Sequence, residues 1–187
     1  MPGDPQILWR RLDRPGHDAC RIRSDMNGQG LDGVAVWLDG GGPAHLSYIV
    51  TCDEAWRTRS ARIQGRAGRR DLTLSIHRDD LGIWRISGEE VPELNGLQDI
   101  DLGFTPATNT LPIRRLRAQS KDSAEIGAAW LDPSDWTLKL LPQHYRRLDT
   151  GWHYASGGFE ADLTVNADGF VTDYPGMWIE EDAHGRS

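Results

Sequence analysis

Arg70 to Arg78 narrows the fold more than any other stretch of the chain. Leu72, Leu74 and Ile76 alternate there with Asp71, Thr73, Ser75 and His77, a strict period of two. That period suits a strand with one buried and one wet face, whereas a helix would scatter the same apolar groups around its axis. Strand-like segments recur between turn-forming clusters. Leu31 to Leu38 sets Val34, Val36 and Leu38 on one face and Trp37 on the other, ahead of Asp39-Gly40-Gly41-Gly42-Pro43. His45 to Thr51 and Trp56 to Gly65 read as the next strands, and Asp79-Asp80-Leu81-Gly82 as a hairpin turn into Ile83 to Ser87. Further on, Ser123 to Asp132 and Trp136 to Leu141 flank one turn, and Gln143 to Leu148 and Trp152 to Ser156 another. Phe159 to Asn166 then turns through Ala167-Asp168-Gly169 into Phe170 to Tyr174. About a dozen short strands with no convincing helix predict an all-β protein. A single highly curved antiparallel sheet, rolled or nearly closed into a half-open barrel, would hide its edges and enclose a cavity.

One stretch departs from this pattern. From Asp99 to Leu116 the chain carries Asp99 and Asp101 at one end, Thr105-Pro106-Ala107-Thr108-Asn109-Thr110-Leu111-Pro112 in the middle, and Arg114 and Arg115 at the other end. Pro106 and Pro112 remove backbone donors and exclude a central strand; a helical turn fits Ala107 to Leu116, and Pro112 is expected to break anything longer. Spaced carboxylates facing fork-shaped guanidinium donors make either a structural lock tied to itself or the wall of a site.

Composition excludes several classes. A net charge of −7 argues against nucleic acid or an anionic membrane as the main partner, although Arg57, Arg59, Arg62, Arg66, Arg69 and Arg70 crowd one segment. The chain of 187 residues fits one domain, with an ordered core over about 17–179, a lead-in over 1–16 anchored by Ile7-Leu8-Trp9, and a disordered acidic tail over 180–187. Met1 to Pro5 shows neither a basic n-region nor an apolar h-region and no stretch reaches membrane-spanning length, which predicts a cytoplasmic protein without stable membrane insertion. Cys20 and Cys52 lack metal-binding spacing and are expected as free thiols. The six His never fall into a ligand pair at helical spacing, so neither metal nor cofactor is expected. Serine-elbow, phosphate-loop and dinucleotide signatures are missing.

Several segments taken together resemble a bacterial family, the putative glycolipid-binding proteins. They are Cys52 to Arg59, Gly82 to Arg85, Thr105 to Leu116, Pro142-Gln143-His144-Tyr145 and Asp168 to Trp178, and the resemblance extends from about His17 to Trp178. It implies a spiral β-roll similar in fold to lipid and lipoprotein carriers. In that light Trp56, Trp84 and Tyr145 are expected to line a cavity for a glycolipid or another amphiphile, with Gln143 beside them. Arg57, Arg59, Arg114 and Arg115 would meet a polar head, while Asp99, Asp101 and Asn109 would support the loop or contact hydroxyls. In an unbulged strand Arg57 and Arg59 share a face with Ala61 and Ile63, which suits a cavity with a greasy interior and a cationic mouth. Trp152, Tyr154 and Trp178 also invite sugar stacking, although aromatic residues on strands more often serve as core or cross-strand pairs. Two other readings stay open: a small-molecule hydrolase or isomerase using the 99–115 loop, and a structural module whose sheet forms a homodimer.

Overall fold

The computed structural model describes residues 4–25 and 28–182, and among them the alternating segments form 15 strands of one sheet. In chain order these are β1 (Gln6–Arg11), β2 (Gly16–Asp25), β3 (Gly28–Asp39), β4 (Gly42–Cys52), β5 (Thr58–Ala67), β6 (Arg70–Arg78), β7 (Trp84–Ile86), β8 (Glu89–Glu90), β9 (Asp99–Leu102), β10 (Ser123–Asp132), β11 (Thr137–Arg147), β12 (Gly151–Ser156), β13 (Phe159–Val165), β14 (Val171–Tyr174) and β15 (Trp178–Glu180). Across the sheet the order is β8-β7-β6-β5-β4-β3-β2-β1-β15-β14-β13-β12-β11-β10-β9. Every neighbouring pair is antiparallel except β9 with β10, so the expected antiparallel sheet holds with one parallel edge.

This order forces the sheet to roll. The chain starts at the middle, works out to β8, crosses to β9 at the opposite edge, and works back. Laid flat, 15 strands would measure roughly 67 Å across. The nine peptide steps from Glu90 to Asp99 reach at most about 34 Å. The two edges must therefore approach each other. They do so without closing a barrel: Thr58 N–H at the start of β5 donates to Gln98 O at 2.9 Å, and Ile100 N–H to Thr58 Oγ1 at 3.1 Å.

The interior of the roll is filled by the stretch that lacked strand character. Phe104 packs against Trp37 at 5.9 Å, Tyr48 at 5.8 Å and Trp136 at 6.0 Å, joining β3, β4 and the β10–β11 turn around one ring. A 3₁₀ turn (Ala107–Asn109) leads into one helix, α1 (Thr110–Ala118), longer than the single turn that Pro112 was expected to allow. Pro112 is the third helical residue, where a backbone N–H has no intrahelical acceptor and its loss costs nothing. The helix stops in a Schellman arrangement, with Lys121 N–H on Leu116 O, Ser120 N–H on Arg117 O, and Ser120 at φ 51°.

Three expectations are corrected. Residues 6–11 are a strand at the centre of the sheet rather than lead-in, because Ile7 and Trp9 are buried and β1 pairs with both β2 and β15. Residues 180 and 181 are not tail: Glu180 lies in β15 and Glu181 N–H donates to Leu8 O, while 183–187 fall outside the described residues. In β3 the expected parity holds, with Trp37 facing the core and Val34, Val36 and Leu38 on the outer face. The strand expected from Trp56 begins at Thr58, and a register shift at Thr51/Cys52 makes Arg59 the extra residue; Thr58, Ala61 and Ile63 point inward, Arg57 and Arg59 outward.

Candidate functional site

Strand β9 sets Asp99 and Asp101 two residues apart on one face while Ile100 and Leu102 enter the core. The two carboxyls meet opposite surroundings. Asp99 is closed off by Arg115 of α1, whose Nη1 and Nη2 donate to Oδ1 and Oδ2 at 2.6 and 2.5 Å with both side chains buried. Burial pushes the Asp99 carboxyl up, against the pull of the guanidinium; burial likewise opposes the charge on Arg115, and the bonds to Asp99 overcome it. The other arginines of α1 fasten the helix in further directions. Arg114 stacks 4.4 Å over Trp56 and donates to Asp168 O, and Arg117 donates to Asn166 O at 2.9 Å. A pocket of about 330 Å³ opens onto the Asp99–Arg115 pair, whose facing donors and acceptors already satisfy one another.

Asp101 opens instead onto a cleft of about 280 Å³. Aromatic rings from five strands line it: Trp130 (β10), Tyr154 (β12), Phe159 (β13), Tyr174 (β14) and Trp178 (β15). Tyr154, Phe159 and Tyr174 are mutual neighbours at 6.0 to 6.4 Å between ring centroids, which makes a continuous aromatic wall. The polar lining comes from Asp101, Thr105, Asn109 and Ser156. A buried layer holds these groups: Gln143 Nε2 donates to Asp101 Oδ2 at 2.6 Å, and Asn109 Nδ2 donates to Tyr145 Oη at 2.8 Å. Burial pushes the Asp101 carboxyl up to about 6; hydrogen bonds from Gln143 and Thr108 pull the other way, and the Asp99 charge adds to the rise. Gly103 makes room for the wall, since a Cβ there would run into Trp130 Nε1 and Pro133 Cδ.

Behind the cleft the polar chain continues inward. Tyr48 Oη donates to Asp18 Oδ1 at 2.9 Å and lies 3.3 Å from Thr105 Oγ1, while Asp18 Oδ2 has no hydrogen-bond partner among the described residues. Burial pushes Asp18 up to about 6 against the hydrogen bonds from Thr105 and Tyr48. Among the described residues no group of three or more His, Cys, Asp or Glu could hold a metal ion, and no helix is long and apolar enough to cross a membrane.

Comparison with known proteins fits this arrangement. The model of the family described as putative glycolipid-binding matches residues 6–179. The chain belongs to that family. The match takes in β1, so it begins earlier than the sequence resemblance did. Among solved structures, a DUF1089 family protein from Pseudomonas aeruginosa superposes with a TM-score of 0.71 at 30% identity, covering 86% of this chain and 90% of its own. A β-barrel-like protein of the domain of unknown function DUF1849 from Brucella abortus shares the fold, with a TM-score of 0.55 at 10% identity over 94% of this chain and 93% of its own. No curated protein matches.

Within this family member the singled-out residues separate into groups. Asp101, Asn109, Gln143 and Tyr145 come together at the cleft and in the layer beneath it. Asp99 and Arg115 form the closed pair. Trp56 is buried under Arg114, and Trp84 is fully buried with Nε1 donating to Leu97 O at 3.1 Å. Arg57 is exposed and bonded to Asp53 at 2.7 Å, and Arg59 is exposed on the outer face. Tyr154 and Trp178, noted for stacking, do line the cleft, whereas Trp152 packs beneath Tyr145 at 6.5 Å. Trp130, Phe159 and Tyr174 were missed. Tyr174 lies inside a segment that carried the family resemblance, and Phe159 headed an alternating strand, but neither signal said which strands would share a cleft.

Proposed function

We propose that the protein is a binding protein for the sugar head of a glycolipid or similar amphiphile, held in the Asp101 cleft. The observation that carries this is the pairing of a continuous aromatic wall with a small set of fixed polar groups, Asp101, Asn109, Thr105 and Ser156, in one concavity. Sugar rings offer apolar C–H faces to aromatic rings and hydroxyls at their edges, so this combination suits them. At about 280 Å³ the cleft lies at the lower end of small-molecule sites, roughly 300 Å³ and upward. That size supports a head of one ring with the first methylenes of a chain against Leu141 and Met177, and the longer acyl part outside. The middle of the roll, where an acyl chain was expected, is occupied by Phe104 and its neighbours.

The enzymatic alternative draws less support. Asp101 is the one carboxyl among the lining residues, whereas glycoside hydrolysis usually needs a facing pair. Asp99, its nearest partner in sequence, is spent on Arg115. Native mass spectrometry of gently purified protein, followed by organic extraction and by titration with octyl glycosides, tests the reading. An adduct of amphiphile mass or saturable glycoside binding that Tyr154→Ala removes is the expected result. A clean apo mass together with no glycoside binding would sink it.

A further inference from the structure

The charge of the cleft is lopsided. Its lining holds one acid, Asp101, and no Arg or Lys, although the chain carries 21 Lys and Arg. The arginines expected to meet an anionic head are engaged or lie elsewhere: Arg115 on Asp99, Arg114 on Trp56 and Asp168, Arg57 on Asp53, and Arg59 on the outer face. Two cations that sit over lining rings are also committed. Arg11, 4.8 Å from the Trp178 ring, pairs with Asp13, and Lys139, 5.9 Å from the Trp130 ring, pairs with Asp132 and Asp135.

We propose that the cleft selects a positively charged sugar head, an amino sugar with a free ammonium group, over neutral and anionic ones. This rests on the sugar-binding reading above and names the ligand class within it. A carboxylate beside a wall of aromatic faces attracts an ammonium twice, through a charge-assisted hydrogen bond and through the ring quadrupoles. The same two features repel a phosphate, sulfate or uronate. Asp101 is half-buried, with Oδ2 already fixed by Gln143, so the carboxylate is oriented before a ligand arrives. The groups facing it are Tyr154 and Tyr174, whose hydroxyls burial keeps neutral well beyond the physiological range, together with Thr108, Asn109 and the paired Asp99. His144 and His153 flank the cleft strands but alternate away from Gln143, Tyr145 and Tyr154, bonded to Ser123 and Asp162.

The test is calorimetric titration, at pH 7 and pH 5, with octyl glucoside, octyl 2-amino-2-deoxyglucoside, its N-acetyl form and octyl glucuronide. At pH 7 the amino sugar should bind about tenfold tighter than its N-acetyl form, with the glucuronide weakest. At pH 5, where Asp101 carries a proton, that preference should shrink to a fewfold at most. Asp101→Asn should abolish it at both pH values; the pH arm on the unaltered protein keeps the test decisive if that variant does not fold or loses glycosides altogether. Glycosides that bind without regard to charge, or a glucuronide that binds best, would overturn the inference and leave the sugar reading standing. A cleft that takes none of the four would overturn both.

Discussion

Asp99 and Asp101 occupy the same four-residue strand and differ in almost every consequence of where they point. Asp99 meets a guanidinium brought in by α1 from 16 residues away and is sealed with it. Asp101 meets an amide, a hydroxyl and a ring-lined opening, so it keeps capacity to bind something from outside. Of the lock and the site wall weighed against each other for this stretch, the lock is present at Asp99, and two residues on Asp101 lines an open cleft. What separates them is the supply of a fixed countercharge from within the chain. A carboxylate given one becomes a fastening, and one left without it stays receptive.

The largest expected effect breaks the lock. Arg115→Ala leaves Asp99 buried without its partner, which should cost about 3–5 kcal/mol and lower the melting temperature by roughly 6–20 °C. A joint Asp99→Leu, Arg115→Met replacement should restore most of that stability; a doubly apolar variant as unstable as Arg115→Ala would show that the pair does more than cancel its own burial. Asp101→Asn should behave in the opposite way, holding stability at pH 8 within about 1 kcal/mol while weakening ammonium ligands about tenfold. Chemical denaturation and calorimetry on the same sample would read both.

A smaller effect lies in the pH profile. Asp18 and Asp101 have folded-state values near 6, above the ordinary carboxylate value of 3.8, so the native state holds their protons more tightly than the unfolded chain. Their contribution is present in acid and is lost as pH rises through about 6, so lowering pH from 8 to 5 should stabilise the fold by roughly 1 kcal/mol for each group. Asp18→Asn should remove about half of that gain, and a pH profile unchanged by the substitution would contradict it. Below about pH 4 the sign reverses. Asp13, Asp53 and Asp132 are held down by partner groups against the opposing effect of burial, Asp79 chiefly by backbone hydrogen bonds, and Asp135 is held at about 2 by Lys139 and Thr137; protonating them forfeits those contacts. The smallest effect belongs to Arg57→Ala, whose exposed pair with Asp53 should be worth at most about 0.5 kcal/mol in thermal melts.

The longer strands were legible where each writes its own period: Arg70 to Arg78 and the hairpin after it stand as expected. Three features were hidden for physical reasons. Pro112 reads as a helix breaker until its position in the first turn is known, and that position depends on where the chain leaves β9. The inward set of β5 is decided by a bulge against β4, which leaves no mark in the Trp56 to Ile63 pattern itself. The cleft draws rings from five strands spread over residues 130 to 178, so its composition depends on sheet order and curvature. Asp101, Asn109, Gln143 and Tyr145 could be singled out by residue type and family pattern. That they would share one hydrogen-bonded layer could not, because tertiary packing brings them together.

The first and last strands lie side by side at the centre of the sheet, with Trp9 opposite Glu180 and Arg11 opposite Trp178, while every other strand pair joins neighbours in sequence. The strand order is therefore that of a meander read from a different starting strand, apart from the parallel β9–β10 edge and its connecting helix α1. Ligating the ends and cutting between β8 and β9 would make the order along the chain identical to the order across the sheet. It would also convert the slowest loop closure into a local hairpin. With β1 and β15 as first and last strands, the short link from Glu90 to Asp99 stays intact, and that link is the strap that keeps the roll from opening.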